Sequence, residues 1–127
     1  MKKSILIFIL ALSAAAFAKQ VKKADKIDKN EKEKKLTITR GSIVYNTYCV
    51  LCHGEKGYGD GRLAINKLPP PANLTTSILT DAQKEEIIRK GGEGVGRSPF
   101  MPPWGEELSD EQIKDLIVYL RTIVSTP

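Results

Sequence analysis

Metal-binding and soft side chains are scarce in this sequence: 127 residues hold two cysteines, one histidine and two methionines. A structural zinc site takes four nitrogen or sulfur ligands, so this set excludes one. Aromatic residues are few, and no segment alternates apolar and polar residues long enough to make a strand. There is no full G-x-G-x-x-G following a strand, which leaves a dinucleotide cradle without support. The one extended apolar run, Ile5 to about Ala16, is shorter than the about 20 residues a spanning helix wants.

An excess of positive charge is missing from the part of the chain that would fold. The net charge is +5, but residues 19–35 alone carry eight lysines against Asp25, Asp28, Glu31 and Glu33. From Leu36 onward 10 basic residues meet 11 acidic ones, a net of −1. A nucleic-acid binder needs a basic face on its folded part, and here there is none. The length allows one domain.

What the chain does have is Cys49-Val50-Leu51-Cys52-His53, followed by Gly54. C-x-x-C-H is the attachment pattern of c-type haem. Two thiols three positions apart share one face of a helical turn, so both can reach the vinyl groups on one porphyrin edge. The next residue, His53, then turns its ring toward the iron. A thioredoxin-type pair would open a helix inside a βαβ unit; here the helical pattern runs into the motif from upstream. A disulfide closing so small a loop would stabilise little.

The second axial position decides what such an iron can do. With no second histidine and no spare cysteine, the soft candidate is Met101, 48 residues beyond His53. Pro99, Pro102 and Pro103 keep its loop extended and stiff. Ordinary core packing of Met101, lysine or tyrosine ligation, or an open site are the alternatives. A His/Met pair fills both axial positions and raises the potential, which suits one-electron transfer. A domain of about 90 residues is small for a stable core, so the apoprotein is expected not to fold.

Taken in order, residues 1–18 read as a secretory signal peptide, with Lys2-Lys3, an apolar run and Ala16-Phe17-Ala18 as cleavage pattern. An uncleaved membrane anchor is the alternative, and no cysteine follows the cleavage point. Residues 19–38 read as a disordered lysine-rich arm: a spacer, or an electrostatic contact for anionic lipids or an acidic partner. The domain, residues 39–127, begins with a helix from Arg40 or Gly41 to about Leu51. The glycine-rich loop 54–61 and the Leu68-Pro69-Pro70-Pro71-Ala72-Asn73-Leu74 segment cannot be helical. Thr80-Asp81-Ala82-Gln83 and Ser109-Asp110-Glu111-Gln112 are capping boxes for two further helices. The last has Ile113, Leu116, Ile117, Leu120, Ile123 and Val124 on one face.

With these motifs in place, Arg40 to Val124 resembles the class I c-type cytochromes, closest to small bacterial monohaem ones. The shared pattern is Tyr-x-x-x-Cys-x-x-Cys-His-Gly, Pro-Pro-Ala-Asn-Leu, Met-Pro-x-Trp and a final Leu-Ser-x-x-x-Ile helix. The resemblance implies an all-α cytochrome c fold, three to five short helices wrapped round one covalently bound haem c. It implies Cys49 and Cys52 as thioethers, His53 and Met101 as axial ligands, and a helix crossing at Gly41, Tyr45, Leu116 and Tyr119. A proline carbonyl would accept the His53 Nδ1 proton, at Pro71 or else Pro70. Tyr45, Leu74 and Trp104 are further pocket candidates; Trp104 sits by the haem edge or packs under the methionine loop. Arg62 meets a propionate or is simply a solvated loop residue. The implied role is an exported, non-enzymatic carrier of electrons between respiratory redox partners, either diffusing or as a complex subunit. The alternative is a peroxidase-like haem enzyme or gas-responsive module with a displaceable Met101.

Overall fold

A computed structural model describes residues 2–124, with side chains described from residue 20 onward. The expected leader, residues 1–18, thus lies outside the described side chains. The helices are α1 (Lys2–Val44), α2 (Val50–His53), α3 (Asp81–Lys90) and α4 (Asp110–Ile123), with a π-helical turn at Tyr45–Cys49 and a 3-10 turn at Glu93–Val95. No strand occurs among the described residues. The protein is all-α, as expected. By contacts the chain divides into two units, Met1–Lys35 and Leu36–Pro127.

In the first unit the structure corrects the expectation of disorder. The arm is helical, and the helix expected to begin at residue 40 or 41 begins far upstream. No glycine or proline stands between Lys2 and Gly41, and lysine and glutamate are good helix formers. Asp25–Lys29, Asp28–Lys32 and Glu31–Lys35 also fall at i, i+4, with the acid on the favourable N-terminal side.

The second unit is built on the end of α1 crossing α4. Its core is Val44, Tyr45, Ile88, Leu108, Ile113, Leu116, Ile117 and Leu120. Ile123 and Val124, the last two of the predicted apolar face, are only half-buried. Gly41 makes the crossing close: a Cβ there would lie 2.7 Å from the Asp115 carbonyl carbon and 2.8 Å from the Tyr119 Cβ. One turn on, Tyr45 is fully buried, with its ring 5.4 Å from that of Tyr119. Beside the glycine, Arg40 grips the buried Asp115 carboxylate through Nε (2.5 Å) and a terminal nitrogen (3.2 Å). Arg121 pairs with Asp81 and Arg89 with Asp110, tying α3 to α4.

Both capping boxes form. At α4 the Ser109 hydroxyl accepts from the Gln112 N–H (3.2 Å), and the Gln112 side chain accepts from the Ser109 N–H (2.9 Å). Ser109→Ala removes one acceptor from an otherwise unsatisfied helix end and is expected to cost about 1 kcal/mol, read as a lower midpoint in urea unfolding. An unchanged midpoint would mean that water replaces the cap without loss.

Candidate haem-attachment site

The π-helical turn Tyr45–Cys49 joins the end of α1 to α2. A π turn inserts one residue into the helical register, and here Tyr45 faces α4 while Tyr48 meets Trp104. The Tyr48 and Trp104 rings stand edge to face, 5.2 Å apart. Cys49 closes the turn, and α2 carries Cys52 and His53. Gly54, at φ +79°, stops the helix; its carbonyl accepts a 2.6 Å hydrogen bond from the Tyr45 hydroxyl.

The chain then folds back on the carbonyl end of α2, which a four-residue helix leaves unsatisfied. Gly59 N–H donates to the His53 carbonyl (2.8 Å), Gly61 to Cys52 (3.2 Å) and Leu63 to Leu51 (2.8 Å). Such close backbone approach excludes a side chain at Gly61, where a Cβ would strike the Leu51 carbonyl. Leu74 N–H donates to the Gly57 carbonyl (2.7 Å) and brings the proline segment over the motif.

That segment supplies the partner of His53. The Nδ1 atom lies 3.0 Å from the Ala72 carbonyl oxygen. This corrects the expectation of Pro71 or Pro70: the acceptor is one position further on. The Pro71 carbonyl instead packs where a side chain on Gly59 would sit. Asn73 sets the end of the segment, its Oδ1 accepting from both the Thr75 N–H (2.9 Å) and hydroxyl (2.8 Å). A carbonyl only accepts, so Nδ1 carries the proton and Nε2 keeps its lone pair. Burial holds the His53 pKa below its ordinary value, with the Ala72 hydrogen bond opposing. Burial thus favours the neutral ring, the state a metal ligand needs.

The cysteines are both half-buried and unbridged. Burial, and then the neighbouring Cys52, push the Cys49 thiol up to about 12. A disulfide oxidoreductase lowers its attacking thiol instead, so the environment has the wrong sign for that chemistry. Among the described residues no three His, Cys, Asp or Glu side chains converge as a metal cluster. Two reduced thiols three apart and a neutral imidazole with one open nitrogen fit a covalently held haem.

Met101 is half-buried against the core. Its loop hangs from the C-terminal end of α3: the Met101 carbonyl accepts from Gly92 N–H (2.9 Å), Trp104 N–H donates to the Ile88 carbonyl (2.9 Å) and Gly105 to Arg89 (3.2 Å). Trp104 is thereby placed against Tyr48. Leu74 is half-buried beside the core, Tyr45 belongs to the helix crossing, and Arg62 is exposed. Sequence reasoning missed Ala72, which acts through its backbone, and Tyr48, whose only sign was an aromatic next to Cys49.

Residues 36–120 match the family model described as "Cytochrome C oxidase, cbb3-type, subunit III". The chain is 35% identical over 85 residues to the cbb3-type cytochrome c oxidase subunit FixP of Azorhizobium caulinodans, covering 66% of this chain and 26% of that protein. To subunit CcoP of Azospirillum brasilense it is 31% identical over 84 residues, 66% of this chain and 28% of that one. It thus spans between a quarter and a third of the curated relatives it matches. Among solved structures it is similar to a chain of the Kuenenia stuttgartiensis reducing HAO-like protein complex Kustc0457/Kustc0458, with TM-score 0.57 and 34% identity over 67% of this chain and 41% of that one. The helical fold, the attachment motif and the family match agree, and the chain belongs to the cbb3-type cytochrome c oxidase subunit III family, as a c-type cytochrome of electron transfer with covalently bound haem c.

Proposed function

We propose that the protein passes single electrons between respiratory redox partners outside the cytoplasmic membrane, and that in it Cys49 and Cys52 would anchor a haem c through thioethers and His53 and Met101 would be the ligands of its iron. The observation that carries this reading is the hydrogen bond between His53 Nδ1 and the Ala72 carbonyl. It fixes the tautomer, aims Nε2 and raises its basicity as a ligand. The bound haem supplies a one-electron couple; the protein supplies its two ligands and a loop that holds the second in place.

Met101 is the one methionine from Leu36 onward. Its thioether is a weak ligand, and the backbone bonds from Gly92 and to Ile88 keep the loop that bears it from swinging away. With both iron ligands drawn from the chain, a bound haem would offer oxygen or peroxide no open position, which favours transfer over catalysis. The relatives' names as oxidase subunits support a respiratory setting. The leader read in residues 1–18 supports export.

Two measurements on the purified protein test this. Intact mass should show one haem retained after denaturation and loss of the leader. The absorption spectrum should be low-spin in both states, with a weak thioether-to-iron band when oxidised. A high-spin ferric form that binds cyanide at once would replace the carrier with an enzyme. Loss of the thioether band on adding carbon monoxide or nitric oxide, with a change in conformation, would make it a gas-responsive module.

A further inference from the structure

The lysine-rich part of α1 is the largest feature that the haem site does not use. An unfolded arm would show its charges on all sides; the helix sorts them. Lys22, Lys26 and Lys29 recur at i, i+4 and i+7, with Lys23 and Lys34 three turns apart beside them, and all five are exposed. On helical geometry they cover an arc of about 140° and a length of about 18 Å. Glu33 is the one acid within that arc. Asp25, Asp28 and Glu31 fall on the other side, interleaved with Lys32 and Lys35, so the back of the helix is close to neutral.

We propose that this stripe lies along an anionic lipid surface, with its lysines against headgroup phosphates. Charge complementarity is the first ground: the stripe is strongly positive, while residues 36–127 are near neutral and supply no competing attraction. The second ground is what the stripe lacks. Its arc holds no apolar side chain, whereas protein interfaces are organised round aromatic or apolar anchors in desolvated pockets. The third is shape. A broad band of exposed ammonium groups on long, flexible stems meets a plane whose charges diffuse to each of them; a folded acidic partner would need carboxylates already placed at those spacings. This inference is independent of which residues ligate the iron.

Co-sedimentation of the haem-loaded protein with phosphatidylglycerol-rich vesicles, against pure phosphatidylcholine, tests it. Two variants of equal net charge separate the stripe from charge alone. K26Q/K29Q removes two lysines from the stripe and K32Q/K35Q two from the back, and glutamine keeps the helix propensity of lysine. The expected result is binding to the anionic vesicles only, lost as salt is raised. K26Q/K29Q should weaken it by about tenfold or more, and K32Q/K35Q far less. Equal weakening by the two pairs overturns the stripe. Equal binding to both vesicle types, or none to the anionic ones, overturns the lipid surface, including where an acidic protein proves to bind instead.

Discussion

Replacing Met101 by alanine is expected to lower the reduction potential by about a tenth of a volt or more, on a scale where axial ligation spans roughly 0.8 V. The direction follows from the chemistry of the thioether, a soft ligand that favours the reduced metal. The size follows from the lack of a substitute, since no second methionine or histidine exists from His53 onward to take its place. The loop itself should survive, because its ties to α3 run through the backbone: Gly92 N–H to the carbonyl of residue 101, and Trp104 N–H to Ile88. The same variant should bind cyanide quickly in its oxidised form. Potentiometric titration and cyanide-binding kinetics check both. If the potential and the cyanide rate match the wild type, Met101 is core filling and the sixth ligand lies elsewhere.

Gly41→Val is expected to remove about 3 kcal/mol or more of stability. Most small-to-large changes are relieved by a rotamer shift, but here the obstruction is backbone. The Asp115 carbonyl and the Tyr119 Cβ occupy the space, 2.7 Å and 2.8 Å from the would-be Cβ at the carbonyl carbon and Cβ respectively. Relief requires α1 and α4 to part, which would expose Tyr45 and Leu116 and stretch the Arg40–Asp115 pair. Gly41→Ala should fall between wild type and valine. Denaturant unfolding of the haem-loaded protein, followed by far-UV dichroism, measures it. An unchanged midpoint for the valine variant would mean the helices cross elsewhere.

Features set by local rules could be read directly from the sequence. Thr80 with Gln83 and Ser109 with Gln112 announce their caps within four residues, and both form. The spacing of Ile113, Leu116, Ile117 and Leu120 announces the buried face of α4. The partners of Gly41 and Tyr45 on α4, Leu116 and Tyr119, came from family resemblance, because no local rule names a contact so far along the chain. The arm misled for the opposite reason. Its composition lacks a core, but its i, i+4 charge pairs support a helix without one. The histidine's acceptor was misplaced by one residue because three successive prolines look alike in sequence. Only the closing of the loop, through Gly57 to Leu74 and the Asn73 turn, sets the register. The Arg40–Asp115 grip joins positions 75 apart, and nothing in either segment alone signals it.

The acceptor for His53 is a main-chain oxygen, and this has a consequence for how the site tolerates change. Whatever residue occupies position 72 offers the same carbonyl, so chemical identity there is nearly immaterial to the imidazole. Chain length is not. Dropping or adding one residue between Gly59 and Asn73 would slide a different peptide unit past the ring, while every ligand stayed in place. An engineer wishing to retune this cytochrome without touching its ligands would do so by counting residues rather than by choosing them.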